Sequence, residues 1–372
     1  MSATYWRPGL AKRITILLPD LRVGGVEKVR ICLASAFLDK GFAVEFLLVQ
    51  NHGDLLEAVP AQCSVKSLDA PRFRHAWRPL HRYIRREQPD VLLVAMWPLT
   101  GLAALACRTS GYKGTLVLSE HNDFRFAPAL RPREKNFLRL FGARIYAAAS
   151  RVIAVSQGVK DSLKEVAKLP DDLVEVIHNP VEVSGATQFQ ESDRALVEWW
   201  RAGDASLLGV GTLKQQKGFD VLLDALKLVT AAMDVRLVIV GDGSLMNELK
   251  AQCNRLGLEE HVRLIGSRAD PGPFYNAADL FVLSSRTEGF GNVIVEALAY
   301  GTPVVSARCS GSPAEILEGG RYGLLVPQLD PQALAHAILT QLSAPKREGE
   351  LRQRAANFSP ESAARKYLDL FG

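Results

Sequence analysis

Glu288 and Glu296 bracket the run Glu288-Gly-Phe-Gly-Asn-Val-Ile-Val-Glu296, in which two glycines break a loop just before a helix-forming stretch. Carboxylates accept hydrogen bonds from hydroxyl groups. A helix N-terminus presents unpaired N–H groups and the positive end of the helix dipole to an anion. Gly289 and Gly291 allow the backbone close to a ligand, and the amides of Gly291, Asn292 and Val293 then face its negative charge. Carboxylates on either side of an anion-binding turn suit a ligand with hydroxyls on both sides of a phosphate, the description of a sugar nucleotide.

The neighbouring elements must position this run. Residues 280–285 are apolar and bounded by turn residues, which reads as a buried parallel strand. Residues 292–300 have helical composition and stop at Gly301. Glu288 therefore follows the carboxyl end of a strand, where open α/β sheets bind ligands.

The chain has 372 residues, more than one hydrophobic core usually serves, so two domains are expected. The five cysteines are scattered without a CxxC pair, which argues for a reducing compartment and against a disulfide frame or zinc site. Residues 1–13 hold Arg7, Lys12 and Arg13 with no apolar run beside them, so no secretory leader is expected. The stretch 91–107 is interrupted by Pro98 and Gly101 and falls short of the roughly 20 apolar residues of a membrane span. Residues 1–185 carry 26 Lys+Arg against 18 Asp+Glu, whereas the remainder carries 19 against 22. The basic first half points to an anionic partner.

Strand-like runs at 13–19, 43–50, 91–96, 115–119, 151–156 and 174–178 alternate with helical patterns at 27–40 and 133–150. After a weakly periodic stretch the alternation restarts, with strands at 207–213, 236–240, 262–265, 280–285 and 303–306. The fold class is α/β: two doubly wound, Rossmann-like parallel-sheet domains facing across a cleft. The expected boundaries are 1–183, a junction at 184–203, and 204–358, with the helix 359–372 packing back on the first domain.

Gly209-Val-Gly211 and Gly241-Asp-Gly243 lack the third glycine of a dinucleotide fingerprint, and no Walker A run is present. Neither is an Asp-x-Asp pair, so a diphosphate must be met by cationic side chains and backbone amides rather than by a held metal ion. Lys217, before the helix at 219–230, is placed for that task.

Taken together these segments resemble the retaining glycosyltransferases of family 4, with the GT-B fold. The resemblance runs through Gly24-Gly25-Val-Glu27, Ser119-Glu-His121-Asn-Asp, Ala154-Val-Ser-Gln-Gly-Val-Lys160, Ile177-His-Asn-Pro-Val181, Val210-Gly-Thr-Leu-Lys-Gln-Gln-Lys217, Val240-Gly-Asp-Gly243, Glu288 to Glu296, Ala299-Tyr-Gly-Thr-Pro-Val-Val305 and Gly323-Leu-Leu-Val-Pro327. It implies that Glu288 binds the transferred sugar and Glu296 the ribose. Lys217 would neutralise the diphosphate and the loop around Ser267 and Arg268 would lie against the base. Gly25 would approach donor phosphate or acceptor, and His121 would be the active-site histidine. The implied catalytic residues are His121, Lys217 and Glu288. The donor-binding set is Gly25, Lys214, Gly243, Ser267, Arg268, Glu288, Gly289, Phe290, Gly291, Asn292, Val293 and Glu296. Thr212 stands where the family usually has an arginine. Strand alternation would place Lys214 on the same face as Thr212, as a substitute cation.

The implied reaction transfers a hexose or N-acetylhexosamine with retention from a nucleotide diphosphate, expected to be UDP, to a saccharide or polyprenyl-linked saccharide. The setting would be bacterial surface polysaccharide or lipopolysaccharide assembly, with no cofactor, metal or nucleic acid. A small soluble acceptor is the rival, and a catalytically weak sugar-nucleotide-binding scaffold the alternative from another class. Two basic, aromatic-rich concentrations suit anionic headgroups: Arg72, Arg78, Arg82, Arg85 and Arg86, and Arg125 to Arg144. The resemblance implies a cytoplasmic protein, which these patches would let rest peripherally on the inner face of the cytoplasmic membrane.

Overall fold

The computed structural model describes residues 12–126, 130–183, 185 and 188–371, with all their side chains except that of Arg74. The readings of the first eleven residues and of Ser184, Ala186 and Thr187 in the junction lie outside the described residues. Two compact units divide the chain: 1–155, 159–180 and 360–372 in one, and 156–158 with 181–359 in the other.

The first unit alternates β1 (Arg13–Leu18), α1 (Gly25–Asp39), β2 (Ala43–Leu48), β3 (Ser64–Ser67), α2 (Trp77–Glu87), β4 (Val91–Ala95), α3 (Leu99–Ser110), β5 (Thr115–Glu120), α4 (Pro132–Tyr146), β6 (Arg151–Ala154), α5 (Gln157–Val166) and β7 (Val174–Val176). Its seven strands are ordered β3-β2-β1-β4-β5-β6-β7. Each pairs in parallel with its neighbour, as in the register Ile14↔Val44 and Ile14↔Val91. Ile14, Ile16 and Leu17 of β1 and Leu92 and Leu93 of β4 are fully buried. A parallel strand covered on both faces needs such continuous apolar runs.

The second unit continues with α6 (Arg194–Arg201), β8 (Ala205–Val210), α7 (Phe219–Val229), β9 (Val235–Val240), α8 (Met246–Leu256), β10 (Val262–Leu264), α9 (Gly272–Ala277), β11 (Leu280–Leu283), α10 (Asn292–Tyr300), β12 (Val304–Ala307), α11 (Pro313–Ile316), β13 (Leu324–Val326), α12 (Pro331–Ser343) and α13 (Glu348–Ala356). Strand order is β10-β9-β8-β11-β12-β13. The order reverses between β8 and β11, just as it does between β1 and β4. Such switch points open a crevice beyond the strand ends, where α/β sheets hold ligands.

Several elements differ from the sequence reading. The short edge strands β3 and β13 carry too few residues for a periodicity to register. β8 stops at Val210 rather than 213, and β11 at Leu283 rather than 285, because the following residues turn to form loops over the sheet end. Within the stretch read as a junction, α6 buries Trp200 completely, and its Nε1–H donates to the carbonyls of Leu207 (3.1 Å) and Arg236 (3.0 Å).

After the second unit the chain returns to the first as α14 (Pro360–Asp369). Tyr367 and Phe371 close over Phe37 of α1, with ring centroids 6.3 and 5.7 Å away. Truncating Phe371 to alanine would open a cavity there, so it is expected to cost about 3–5 kcal/mol of the first unit's stability. Urea unfolding followed in that unit would measure the loss.

Candidate active site

Three loops stack over the carboxyl ends of β8, β9 and β10. Gly211 N–H bonds Val240 C=O (3.0 Å), Gly241 N–H bonds Gly266 C=O (2.9 Å), and Leu213 N–H bonds Asp242 C=O (2.9 Å). A Cβ on Gly241 would lie 1.9 Å from the Gly211 oxygen, and one on Gly243 2.5 Å from that of Leu213. These glycines hold backbone against backbone, so Gly243 supports the loop that carries Lys217.

That loop ends in a single 3₁₀ turn, Gln215–Lys217, closed by Gly218 in the left-handed region at φ 64°. A Cβ on Gly218 would meet the Ser284 carbonyl oxygen at 2.1 Å, and Ser284 Oγ donates to Lys217 C=O (3.1 Å). The turn is thereby clamped onto the end of β11. Lys217 Nζ reaches across the switch point to Glu288 Oε1 at 2.7 Å, and Ser285 Oγ donates to the same oxygen at 2.6 Å. Glu288 is buried and its own N–H donates to Ser310 C=O (3.1 Å). An ammonium has three donors and a carboxylate about four acceptor positions. Glu288 takes one Lys217 donor, and Oε2 receives no hydrogen bond among the described residues, so the pair retains capacity for a polar ligand.

Beside it, α10 begins at Gly291 in the left-handed region (φ 88°) with no side-chain cap. Glu288, which could have capped this helix, is instead turned to Lys217. One turn in, Glu296 accepts a hydrogen bond from the buried Tyr275 hydroxyl (2.7 Å), whose ring stacks on Tyr300.

Other expected donor residues are placed differently. Phe290 is a core side chain, buried edge-on against Phe358, and its carbonyl accepts a hydrogen bond from the Ser312 hydroxyl. Arg268 is held by the buried Asp193 (3.2 Å) and by Ile265 C=O (2.6 Å), which turns its guanidinium towards the segment preceding α6. Ser267 lies in the same rim loop. The strand-face argument for Lys214 fails, since β8 has already ended; Thr212 and Lys214 sit exposed in a turn, with Lys214 N–H on Thr212 C=O (2.8 Å).

In the first unit, Gly25 opens α1 beyond β1, at that sheet's switch point, and is exposed. His121 follows β5 and is buried beside Arg30, an α1 residue the sequence reading missed. The guanidinium of Arg30 is entirely buried. It donates to the Ser119 hydroxyl, to Tyr367 Oη (3.3 Å) and to His121 Nε2 (3.2 Å). Arginine only donates, so Nε2 accepts and the imidazole proton sits on Nδ1, a buried atom with no hydrogen-bond partner among the described residues. Burial, and then the adjacent Arg30 charge, hold the imidazole pKa well below its usual range, so the ring is neutral. It is a hydrogen-bond donor of fixed tautomer.

Glu120 points to the opposite face of β5. Thr100 Oγ1 and the Tyr146 hydroxyl donate to its Oε1 (2.6 Å each) and Trp97 N–H to Oε2 (3.0 Å), while burial pushes its pKa up to about 7. Asp123 is gripped by Arg125 (2.6 Å). Both carboxylates are thus committed within the fold. Among the described residues no group of three His, Cys, Asp or Glu could hold a metal ion.

The family model described as "Glycosyl transferases group 1" matches residues 204–344, and that described as "Glycosyltransferase Family 4" matches residues 23–184. A D-inositol 3-phosphate glycosyltransferase of Catenulispora acidiphila is 31% identical over 76% of the chain and 72% of its own length. The chain belongs to glycosyltransferase family 4. This glycosyltransferase is also 28% identical to the lipopolysaccharide core biosynthesis glycosyltransferase LpsE of Rhizobium meliloti, over 93% of the chain and 95% of the relative. It shows the same identity, over 96% and 99%, to a Campylobacter jejuni N-acetylgalactosaminyltransferase named for a diphospho-undecaprenol substrate. Among solved structures, Anabaena HepE in complex with UDP superposes with a TM-score of 0.77 at 26% identity, covering 96% of this chain and 98% of that one. The fold is GT-B.

Replacing Gly218 by alanine forces a side chain into the left-handed region against Ser284, and a loss of about 1–3 kcal/mol is expected in chemical denaturation. The histidine gives a pH signature. His121 is neutral when folded but takes a proton below about pH 6.5 when unfolded, so its contribution is present above that pH and lost as pH falls. The stability gap between wild type and His121→Gln should therefore shift to the wild type's disadvantage as pH falls below about 6.5, with a limiting slope of about 1.4 kcal/mol per pH unit. Denaturation curves of both proteins across that range would show it.

Proposed function

We propose that this glycosyltransferase moves a hexose or N-acetylhexosamine from a UDP-sugar, with retention and without a metal ion, to a saccharide or lipid-linked saccharide in surface polysaccharide or lipopolysaccharide assembly. The observation that carries this reading is the convergence of Lys217, Ser285 and Glu288 beside the uncapped start of α10 at the switch point of the second sheet. The HepE complex with UDP and the names of the Rhizobium and Campylobacter relatives support the donor and acceptor classes.

A nucleoside diphosphate leaves with growing negative charge. Donors fixed in advance around that charge stabilise the transition state without reorganising. Lys217, with two N–H groups beyond its bond to Glu288, and the first amides of α10 supply them. Glu288 Oε2 accepts from sugar hydroxyls. Glu296, oriented by Tyr275, meets the ribose, and the backbone from Gly266 to Arg268 flanks the base. Neutral His121 offers its Nδ1–H to an oxygen of the transferred sugar. With Glu120 and Asp123 tied up inside the fold, neither is positioned as a covalent nucleophile. The acceptor instead attacks the face the diphosphate leaves, and a departing phosphate oxygen takes its proton.

Purified enzyme supplied with a panel of UDP-sugars and both lipid-linked and soluble saccharide acceptors should give an α-linked product from an α-linked donor, read from the anomeric coupling in proton NMR. Lys217→Ala should lower kcat by about 10²–10³-fold while leaving the circular dichroism spectrum intact. Lys214→Ala provides the comparison for the exposed cation. Full turnover by Lys217→Ala, or a β-linked product, would refute the proposal.

A further inference from the structure

The strands of the first sheet that follow β3 all step in one direction, β4-β5-β6-β7. Right-handed crossovers then lay α2, α3 and α4 on one face of it, opposite α1. Together these three helices carry nine cations (Arg78, Arg82, Arg85, Arg86, Arg108, Arg133, Lys135, Arg139 and Arg144) against two carboxylates. Glu87 is paired to Arg13 (3.2 Å), and Glu134 accepts the Arg131 backbone N–H (2.8 Å).

Helix α4 is inverted relative to an ordinary surface helix. Leu138, Gly142 and Tyr146 pack inward, while Phe137, Leu140 and Phe141 are 45%, 73% and 42% exposed. Positions 133, 137, 140, 141 and 144 recur at helical spacing, so Arg133 and Arg144 flank these apolar side chains on one outward stripe. Phe137 stacks with Phe141 (5.2 Å) and lies 6.4 Å from Trp97, which widens the apolar strip. Leu105 on α3 and Phe126 are exposed as well.

On α2 the pattern is different. Arg78, Arg82 and Arg85 line a basin of about 390 Å³ with Trp77, His81 and Thr109, and among the described residues none of these three arginines has a hydrogen-bond or ion-pair partner. Guanidiniums recognise phosphate oxygens in bidentate fashion.

We infer that the outer face of α2, α3 and α4 docks on an anionic phospholipid bilayer, with the arginine basin of α2 seating lipid phosphates while Phe137, Leu140 and Phe141 enter the acyl boundary. Apolar side chains set among cations match an interface with anionic headgroups above hydrocarbon. A second copy of the chain fits poorly, because face-to-face pairing would set these arginines against one another. The inference rests on the packing of the first unit and stands apart from the transfer chemistry.

The test uses the full chain in vesicle sedimentation, with phosphatidylcholine alone and phosphatidylcholine mixed with phosphatidylglycerol. Wild type should pellet with the mixed vesicles only, and added salt should release it. Phe137→Ser/Leu140→Ser and Arg78→Gln/Arg82→Gln/Arg85→Gln should each weaken partitioning more than about tenfold, with donor hydrolysis in solution unchanged. These substitutions are at exposed positions, and circular dichroism checks their folding. Equal pelleting on phosphatidylcholine alone, or retained binding by either variant, overturns the inference. So does light scattering that shows a vesicle-free dimer dispersed by Phe137→Ser/Leu140→Ser.

Discussion

The 2.7 Å contact between Lys217 and Glu288 is the constraint around which the second unit is organised. It joins the loop after β8 to the loop after β11, the two strands between which the sheet reverses its order. A half-buried ammonium and a buried carboxylate each lose hydration there, so the arrangement holds only if their geometry is fixed by the surroundings. Gly218 locks the lysine turn onto β11, Ser285 supplies a second donor, and Ser310 anchors the glutamate's backbone. Removing any of these would leave charge in a poorly solvated place.

The first unit holds a buried charge of its own. Arg30 lies completely buried with no carboxylate bonded to it among the described residues, and its charge is spread over a hydroxyl, a phenol, an imidazole and the face of Tyr367. Such a cation is costly to bury. It dictates which nitrogen of His121 carries the proton, and burial together with the Arg30 charge keeps that ring uncharged.

Much of this was legible in the chain. Apolar runs bounded by glycine and proline mark most of the strands, because a parallel strand covered on both faces permits little else. The run from Glu288 to Glu296 reads as a glycine-broken loop leading into a helix, and α10 does start at Asn292 after Gly291 in the left-handed region. What stayed hidden depends on tertiary packing. Arg30 sits in a helix whose other buried residues are apolar or small, and nothing in its neighbours announces that it faces His121. Phe290 and Arg268 occupy expected positions in sequence, yet Phe358 and Asp193, each over sixty residues away, claim their side chains. The turn at Thr212 to Lys214 reads as strand because the apolar Leu213 continues the pattern after the backbone has already bent, its N–H donating to Asp242 C=O and its C=O accepting from Leu245 N–H.

The return of α14 to α1 has a consequence for biogenesis. Phe37 and Arg30 are made early, but Tyr367 and Phe371, which cover them, leave the ribosome after all of the second unit. Domains generally fold in the order of synthesis, and here that order cannot be completed. The nascent amino-terminal half must wait, with an aromatic ring and a cation uncovered, while some 180 further residues are translated. That interval is when the chain is most open to chaperone capture, and it ties the maturation of the first half to successful synthesis of the second.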